Sequence, residues 1–170
     1  MMTIPDDSTP QSAPAVPNQK GAGAALHTIL VATDYSNEAA AAIQHALKLA
    51  KLTGAEISVL HVVELKKPEI NPEVVAAVER LQSNFSAIQQ RAMERLDALC
   101  KDIQTPGVRC TARIRLGIPY EEILEDAEET HPDLVIIGKK GSSGLARFLL
   151  GGTAARVARY APCSVLIVHS

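Results

Sequence analysis

At 170 residues with 46% apolar composition, the chain has the length of one domain and enough non-polar side chain to bury a core. A formal net charge of −2, with two Phe, three Tyr and no Trp, argues against the basic surface and aromatic platforms on which nucleic-acid binding rests. No apolar run nears the roughly 20 residues of a membrane span, the start lacks a charged segment followed by an apolar signal region, and Cys100, Cys110 and Cys163 fall without CxxC or Cys/His metal spacing, so a reduced, cytoplasmic protein with no nucleic-acid partner, membrane partner or metal site is expected.

Residues 1–25 carry Pro5, Pro10, Pro14 and Pro17 with no hydrophobic period, and are expected to be a disordered, inert N-terminal tail preceding a domain over 26–170. Thr28 to Thr33 predicts a first buried strand, with Asp34 at its carboxyl end. In a doubly wound sheet that rim receives ligands, so Asp34 either touches one or caps the next helix with Ser36, and the residues alone leave both open. Asn37 to Leu52 is an alanine-rich helix with Ala39, Ala42, Ile43, Ala46, Leu47 and Ala50 on one face, stopped by Thr53-Gly54. His45 on it reads as a surface residue.

Glu56 to Val63 gives the second strand, with His61 and Val62 near its exit. After the charged stretch from Lys66 to Asn71, a long helix is expected from Pro72 to Cys100 or Ile103, its stripe from Val75 through Phe85 to Leu96 and Leu99 packing on the sheet. Val108 to Leu116 alternates apolar and basic residues and predicts an edge strand, Arg109, Arg113 and Arg115 forming a solvated face. Beyond Gly117-Ile118-Pro119, Tyr120 to Thr130 is an acidic helix. Its carboxylates (Glu121, Glu122, Glu125, Asp126, Glu128, Glu129) read as a solvated face rather than as catalytic groups.

Leu134 to Ile137 is a short β-branched run, read as a buried parallel strand that breaks into Gly138, Gly141 and Gly144. Gly151-Gly152-Thr153, a helix, Pro162-Cys163 and a last strand from Ser164 to Val168 follow. A strand that runs into glycines and a helix start offers unpaired N–H groups to an anion, and Lys139 and Lys140 add positive charge, so a phosphate-bearing ligand is expected. The string matches neither GxxxxGK(S/T) nor GxGxxG. From the glycines alone, an ordinary strand-to-helix turn with solvated lysines remains the alternative. The regular alternation of strands and helices predicts an α/β fold, an open five-stranded parallel sheet with right-handed crossovers and helices on both faces.

Gly138-x-x-Gly141, nine residues, then Gly151 resembles the ATP-binding signature GxxGx9G(S/T) of the universal stress protein family, and the run from Ile29 through Asp34 to Lys51 matches the family's first strand, aspartate and helix. The resemblance covers residues 27–170. It implies a Rossmann-like sheet of strand order 3-2-1-4-5, akin to the adenine nucleotide alpha hydrolases, with a crevice between Asp34 and Gly138. It also implies an adenine-nucleotide-binding regulatory stress-response protein that holds ATP or AMP, with magnesium as a candidate companion, and that pairs as a homodimer through its last strand.

On this resemblance Ala32, Thr33, Asp34 and Val62 border the base and ribose, and Ile137 and Gly138 let the nucleotide cross the strand ends. Gly141, Gly151, Gly152, Thr153 and Ala154 hold the phosphates, with Lys140 nearby. No Ser-His-Asp or Cys-His set and no poised base is visible, so no catalytic residue is assigned and little or no hydrolysis is expected. One departure stands out: the family has Ser or Thr after the third glycine, where this chain has Gly152 and carries Thr153 one place later. Two other readings stay open. A slow ATPase or nucleotidyl transferase would lean on Asp34, and a dimeric interaction protein without nucleotide is the reading that Gly152 favours.

Overall fold

The computed structural model describes residues 25–64, 89–104, 106–140 and 150–169. Residues 1–24 of the expected tail, the first part of the long helix from Pro72, Gly141, Gly144 and residues 145–149 lie outside the described residues.

The apolar runs form five parallel strands: β1 (Thr28–Thr33), β2 (Glu56–Glu64), β3 (Cys110–Gly117), β4 (Leu134–Gly138) and β5 (Ser164–Val168). Their order, β3-β2-β1-β4-β5, is the expected one, and it sets β1 between β2 and β4 with Ile29 beside Leu134 and Val31 beside Ile136. The connecting helices are α1 (Asn37–Thr53), α2 (residues 89–103), α3 (Pro119–Thr130) and α4 (Gly152–Tyr160). α1 stops where the sequence says it should. Gly54 takes φ 78°, a left-handed conformation that costs glycine little, and its N–H donates to the Ala50 carbonyl oxygen at 2.8 Å.

Side-chain alternation splits the core into two layers. Ile29, Val31, Ile57, Val59 and Ile136 face Ala42, Ile43, Ala46 and Ala50 of α1 and Leu96, Cys100 and Ile103 of α2. Leu30, Ala32, Leu60, Val135 and Ile137 face Ile123 and Ala127 of α3 and Ala154 and Val157 of α4. Strands buried on both faces need no polar alternation, which is why β1 and β4 read as continuous apolar runs. Each fully buried Val, Leu or Ile contributes about 1.5–3 kcal/mol of transfer free energy.

The solvated-face reading of β3 and α3 needs correcting. Arg113 and Arg115 stand on the face that α3 covers, in register with Leu60 and Val62. Their Nε atoms donate to one carboxylate oxygen of Asp126 at 2.8 and 2.9 Å, and Asp126 is 0% exposed. Arg115 also bonds Glu129 and lies 3.6 and 3.4 Å from Glu122 and Glu125. The basic strand face and the acidic helix face therefore neutralise each other, whereas Arg109, exposed and paired with Glu56, and the exposed Glu121 and Glu128 behave as expected.

Among the described residues no helix is long and apolar enough to cross a membrane, and no group of three or more His, Cys, Asp or Glu is placed to hold a metal ion.

Candidate functional site

At the carboxyl rim of the sheet the chain leaves β1 towards α1 on one face and leaves β4 towards α4 on the other. Parallel strands that part in this way leave a crevice between their ends. Here it is a cleft of about 220 Å³. Ala32, Leu60, Val62, Ile123 and Ile137 give it an apolar floor, while Thr33, Asp34, Glu64, Lys139, Lys140 and the start of α4 supply its polar edge.

The β1 side is a turn fixed by its own side chains. The Tyr35 N–H donates to Thr33 Oγ1 at 3.1 Å and the Ser36 N–H to Asp34 Oδ1 at 3.0 Å, while Ser36 Oγ accepts from the Ala39 N–H at 3.2 Å. Ser36 is thus the N-cap of α1, and Asp34 orders the turn one step earlier. Tyr35 takes φ 62°, which a non-glycine residue adopts only when its surroundings hold it there. Its ring lies 4.6 Å from the His61 ring and 3.7 Å beneath the Arg95 guanidinium. His61 Nδ1 donates to the Thr33 carbonyl oxygen at 2.8 Å, since that oxygen can only accept. Burial pushes the Tyr35 phenol above its ordinary pKa, with the Arg95 charge opposing, and the buried hydroxyl has no hydrogen-bond partner among the described residues.

The β4 side depends on close approach. A β-carbon on Gly138 would stand 2.9 Å from the carbonyl carbon of Glu38, so only glycine lets the first turn of α1 lie against the tip of β4. Two backbone bonds then seat α4. The Lys139 N–H donates to the Val168 carbonyl oxygen at 2.7 Å, and the Gly151 N–H to the Lys139 carbonyl oxygen at 2.9 Å. Gly151 is the N-cap of α4 and brings no side chain, so among the described residues no side-chain hydrogen bond caps this helix. The first-turn amides of Gly152, Thr153 and Ala154 border the cleft at the positive end of the helix dipole, with Lys139 and Lys140 alongside.

Ala32, Thr33, Asp34, Val62, Ile137, Gly138, Lys140, Gly151, Gly152, Thr153 and Ala154 all line this one cleft, drawn from both ends of the chain; Gly141 lies outside the described residues. Lys139, whose charge the sequence sets beside the expected anion, lines the cleft as well, and sequence reasoning did not assign Ala39, Leu60, Glu64, Pro119 or Ile123 to the site, though they line it too. Strand period would have found Leu60, two residues before Val62, and helix period Ile123, one turn after Pro119. Glu64 stands with Asp34 as a second carboxylate at this rim. Chemically, an apolar slot suits a flat ring, and uncapped amides beside two ammonium groups suit an anion attached to it.

The profile of the Universal stress protein family matches residues 25–169. The chain is 31% identical over 140 residues to Universal stress protein MJ0531 of Methanocaldococcus jannaschii, an alignment spanning 82% of this chain and 80% of that protein. Among solved structures it is similar to MJ0577 of the same organism, with TM-score 0.74 and 26% identity over 86% of this chain and 98% of that one. It is also similar to a universal stress protein crystallised in complex with cAMP, with TM-score 0.60 and 25% identity over 86% and 98% of the two chains.

Proposed function

This chain belongs to the universal stress protein family, and from that premise we propose that it is a cytoplasmic regulatory protein of the stress response, binding an adenine nucleotide between β1 and β4 with little or no hydrolysis. The observation that carries this reading is the single cleft in which an apolar floor meets the uncapped amides of α4 and two lysines. A relative crystallised with cAMP supports an adenine nucleotide as the ligand class. In this arrangement Ala32, Thr33, Asp34 and Val62 border the base and ribose, and Ile137 and Gly138 form the crossing point. The amides of Gly151, Gly152, Thr153 and Ala154, with Gly141 and Lys140, meet the phosphates of ATP or AMP. Magnesium enters with the phosphates.

β5 stands at an edge of the sheet, and the same reading makes it the pairing strand of a homodimer. Asp34 and Glu64 are the carboxylates lining the cleft among the described residues. Neither has a histidine beside it in that lining, which favours retention of the nucleotide over turnover.

Calorimetric titration with ATP, AMP and adenosine tests the reading, together with thermal unfolding. Ligand at a hundredfold over Kd stabilises a binding protein by about 2.7 kcal/mol, so a clear rise in Tm is expected. No heat and no rise at millimolar ATP would contradict it. Turnover on the order of 1 per second, lost in Asp34→Ala, would replace it with an enzyme.

A further inference from the structure

We infer that Arg156 takes over the phosphate contact of the hydroxyl missing at position 152, and that it makes the cleft prefer adenine nucleotides carrying more than one phosphate. The inference rests on the proposed function. Among the described residues beyond its chain neighbours and its own helix backbone, a β-carbon on Gly152 would meet Arg156 Nη1 alone, at 3.6 Å, which is ordinary van der Waals contact. Position 152 therefore has room for a serine, and the group bordering that room is a guanidinium. Arg156 lies one helical turn beyond Gly152 on the same face of α4.

Its seat is defined. The guanidinium stands 4.6 Å from the centroid of the Tyr120 ring, and Tyr120 follows Pro119, which lines the cleft. Arg156 is thus held between Tyr120 at the start of α3 and Gly152 at the start of α4, both next to or in the lining of the site. Among the described residues it makes no ion pair, whereas Arg113 and Arg115 are each bound to carboxylates. Its side chain is exposed, so the group it meets is the outermost part of a bound ligand. A planar, five-donor fork matches phosphate oxygens in a way one serine hydroxyl does not. Lys139 and Lys140 line the cleft and Arg156 stands beside Gly152, which lines it too, so a ligand reaching past that residue meets a third cation, more than one phosphate requires.

The test is a calorimetric series of ATP, ADP, AMP and adenosine against the full chain, Arg156→Ala, Arg156→Lys and Gly152→Ser. The wild type is expected to bind ATP and ADP more tightly than AMP, with added salt weakening ATP most. Arg156→Ala should bind ATP and ADP about tenfold more weakly, a change of about 1.4 kcal/mol, and lose the excess salt dependence, while AMP and adenosine bind as before. Arg156→Lys should recover part of the loss, as should Gly152→Ser placed in the Arg156→Ala background. Unchanged ATP affinity in Arg156→Ala, or an equal loss for adenosine, overturns the inference. Wild type that binds all four compounds alike also overturns it and leaves the proposed function standing. Wild type that binds none of them at millimolar concentration overturns both.

Discussion

Two regions of this protein set cations against a helix, the seam between β3 and α3 and the cleft between β1 and β4 that the start of α4 borders, and they are built in opposite ways. In the seam, Arg113 and Arg115 share the buried carboxylate of Asp126, and Arg115 is ringed by Glu122, Glu125 and Glu129. Among the described residues, the cleft's Lys139 and Lys140 make no ion pair, nor does Arg156 beside the cleft-lining Gly152, and the first turn of α4 has no side-chain cap. Where the chain supplies its own counter-charge, charge holds an edge strand to a helix. Where it supplies uncapped amides and cations beside an apolar slot, the counter-charge has to come from outside.

Breaking the paired region should cost most. Asp126→Ala leaves Arg113 and Arg115 without the central carboxylate they share, and removing one partner of a buried pair costs about 3–5 kcal/mol, readable as a lower urea midpoint. The folded fraction should still bind ATP normally. A loss under about 1 kcal/mol would place the seam with ordinary surface ion pairs and erase the contrast.

On the cleft side, Gly138→Ala is expected to lower stability by about 1–3 kcal/mol, because its methyl must displace the first turn of α1. Unlike Asp126→Ala, it should weaken ATP binding as well, since that turn borders the site. Urea unfolding and calorimetry on the same sample separate the two cases; lost stability with intact binding would show that the close approach serves packing alone.

Asp34→Ala should act on binding more than on folding. It removes one acceptor from the nucleotide and one from the exposed Ser36 N–H, each worth about 0.5–1.5 kcal/mol. Affinity should fall by about threefold to tenfold with little change in Tm, and an unchanged affinity would confine Asp34 to shaping the turn.

The smallest effect is expected from Tyr35→Phe, which deletes a buried hydroxyl without a hydrogen-bond partner among the described residues. Stability at neutral pH should be unchanged or slightly raised, because no bond is lost. Burial raises the phenol pKa above the ordinary 10.0 in the folded state. The folded protein therefore holds that proton more tightly than the unfolded chain, and the wild type loses stability as pH climbs past 10.0. Melts above that pH should show the phenylalanine variant losing less; a clear loss at neutral pH would reveal a bond to the hydroxyl.

What the sequence discloses follows from how local each signal is. The runs of β1 and β4, the left-handed stop at Gly54 and the glycine that ends β4 before Lys139 are short-range patterns, and each lies where the pattern puts it. The seam is not of that kind. Alternation in β3 shows that one face is polar, but nothing local says that α3 folds back over that face, so Arg113 and Arg115 read as solvated. Pro119, Ile123 and Glu64 escaped assignment for a related reason, since a concave surface gathers residues from several elements while sequence reading takes each strand end by itself. The stacking of Tyr35 against His61 and Arg95 is likewise not local, because those residues lie far along the chain.

The central claim is tested most directly by a crystal structure of the full chain grown with ATP and magnesium. The account predicts adenine over Ala32, Val62 and Ile137, ribose at Asp34, and phosphate oxygens within hydrogen-bond distance of the Gly152 and Thr153 amides. A nucleotide bound at another surface, or a cleft that stays empty at millimolar ATP, would contradict it.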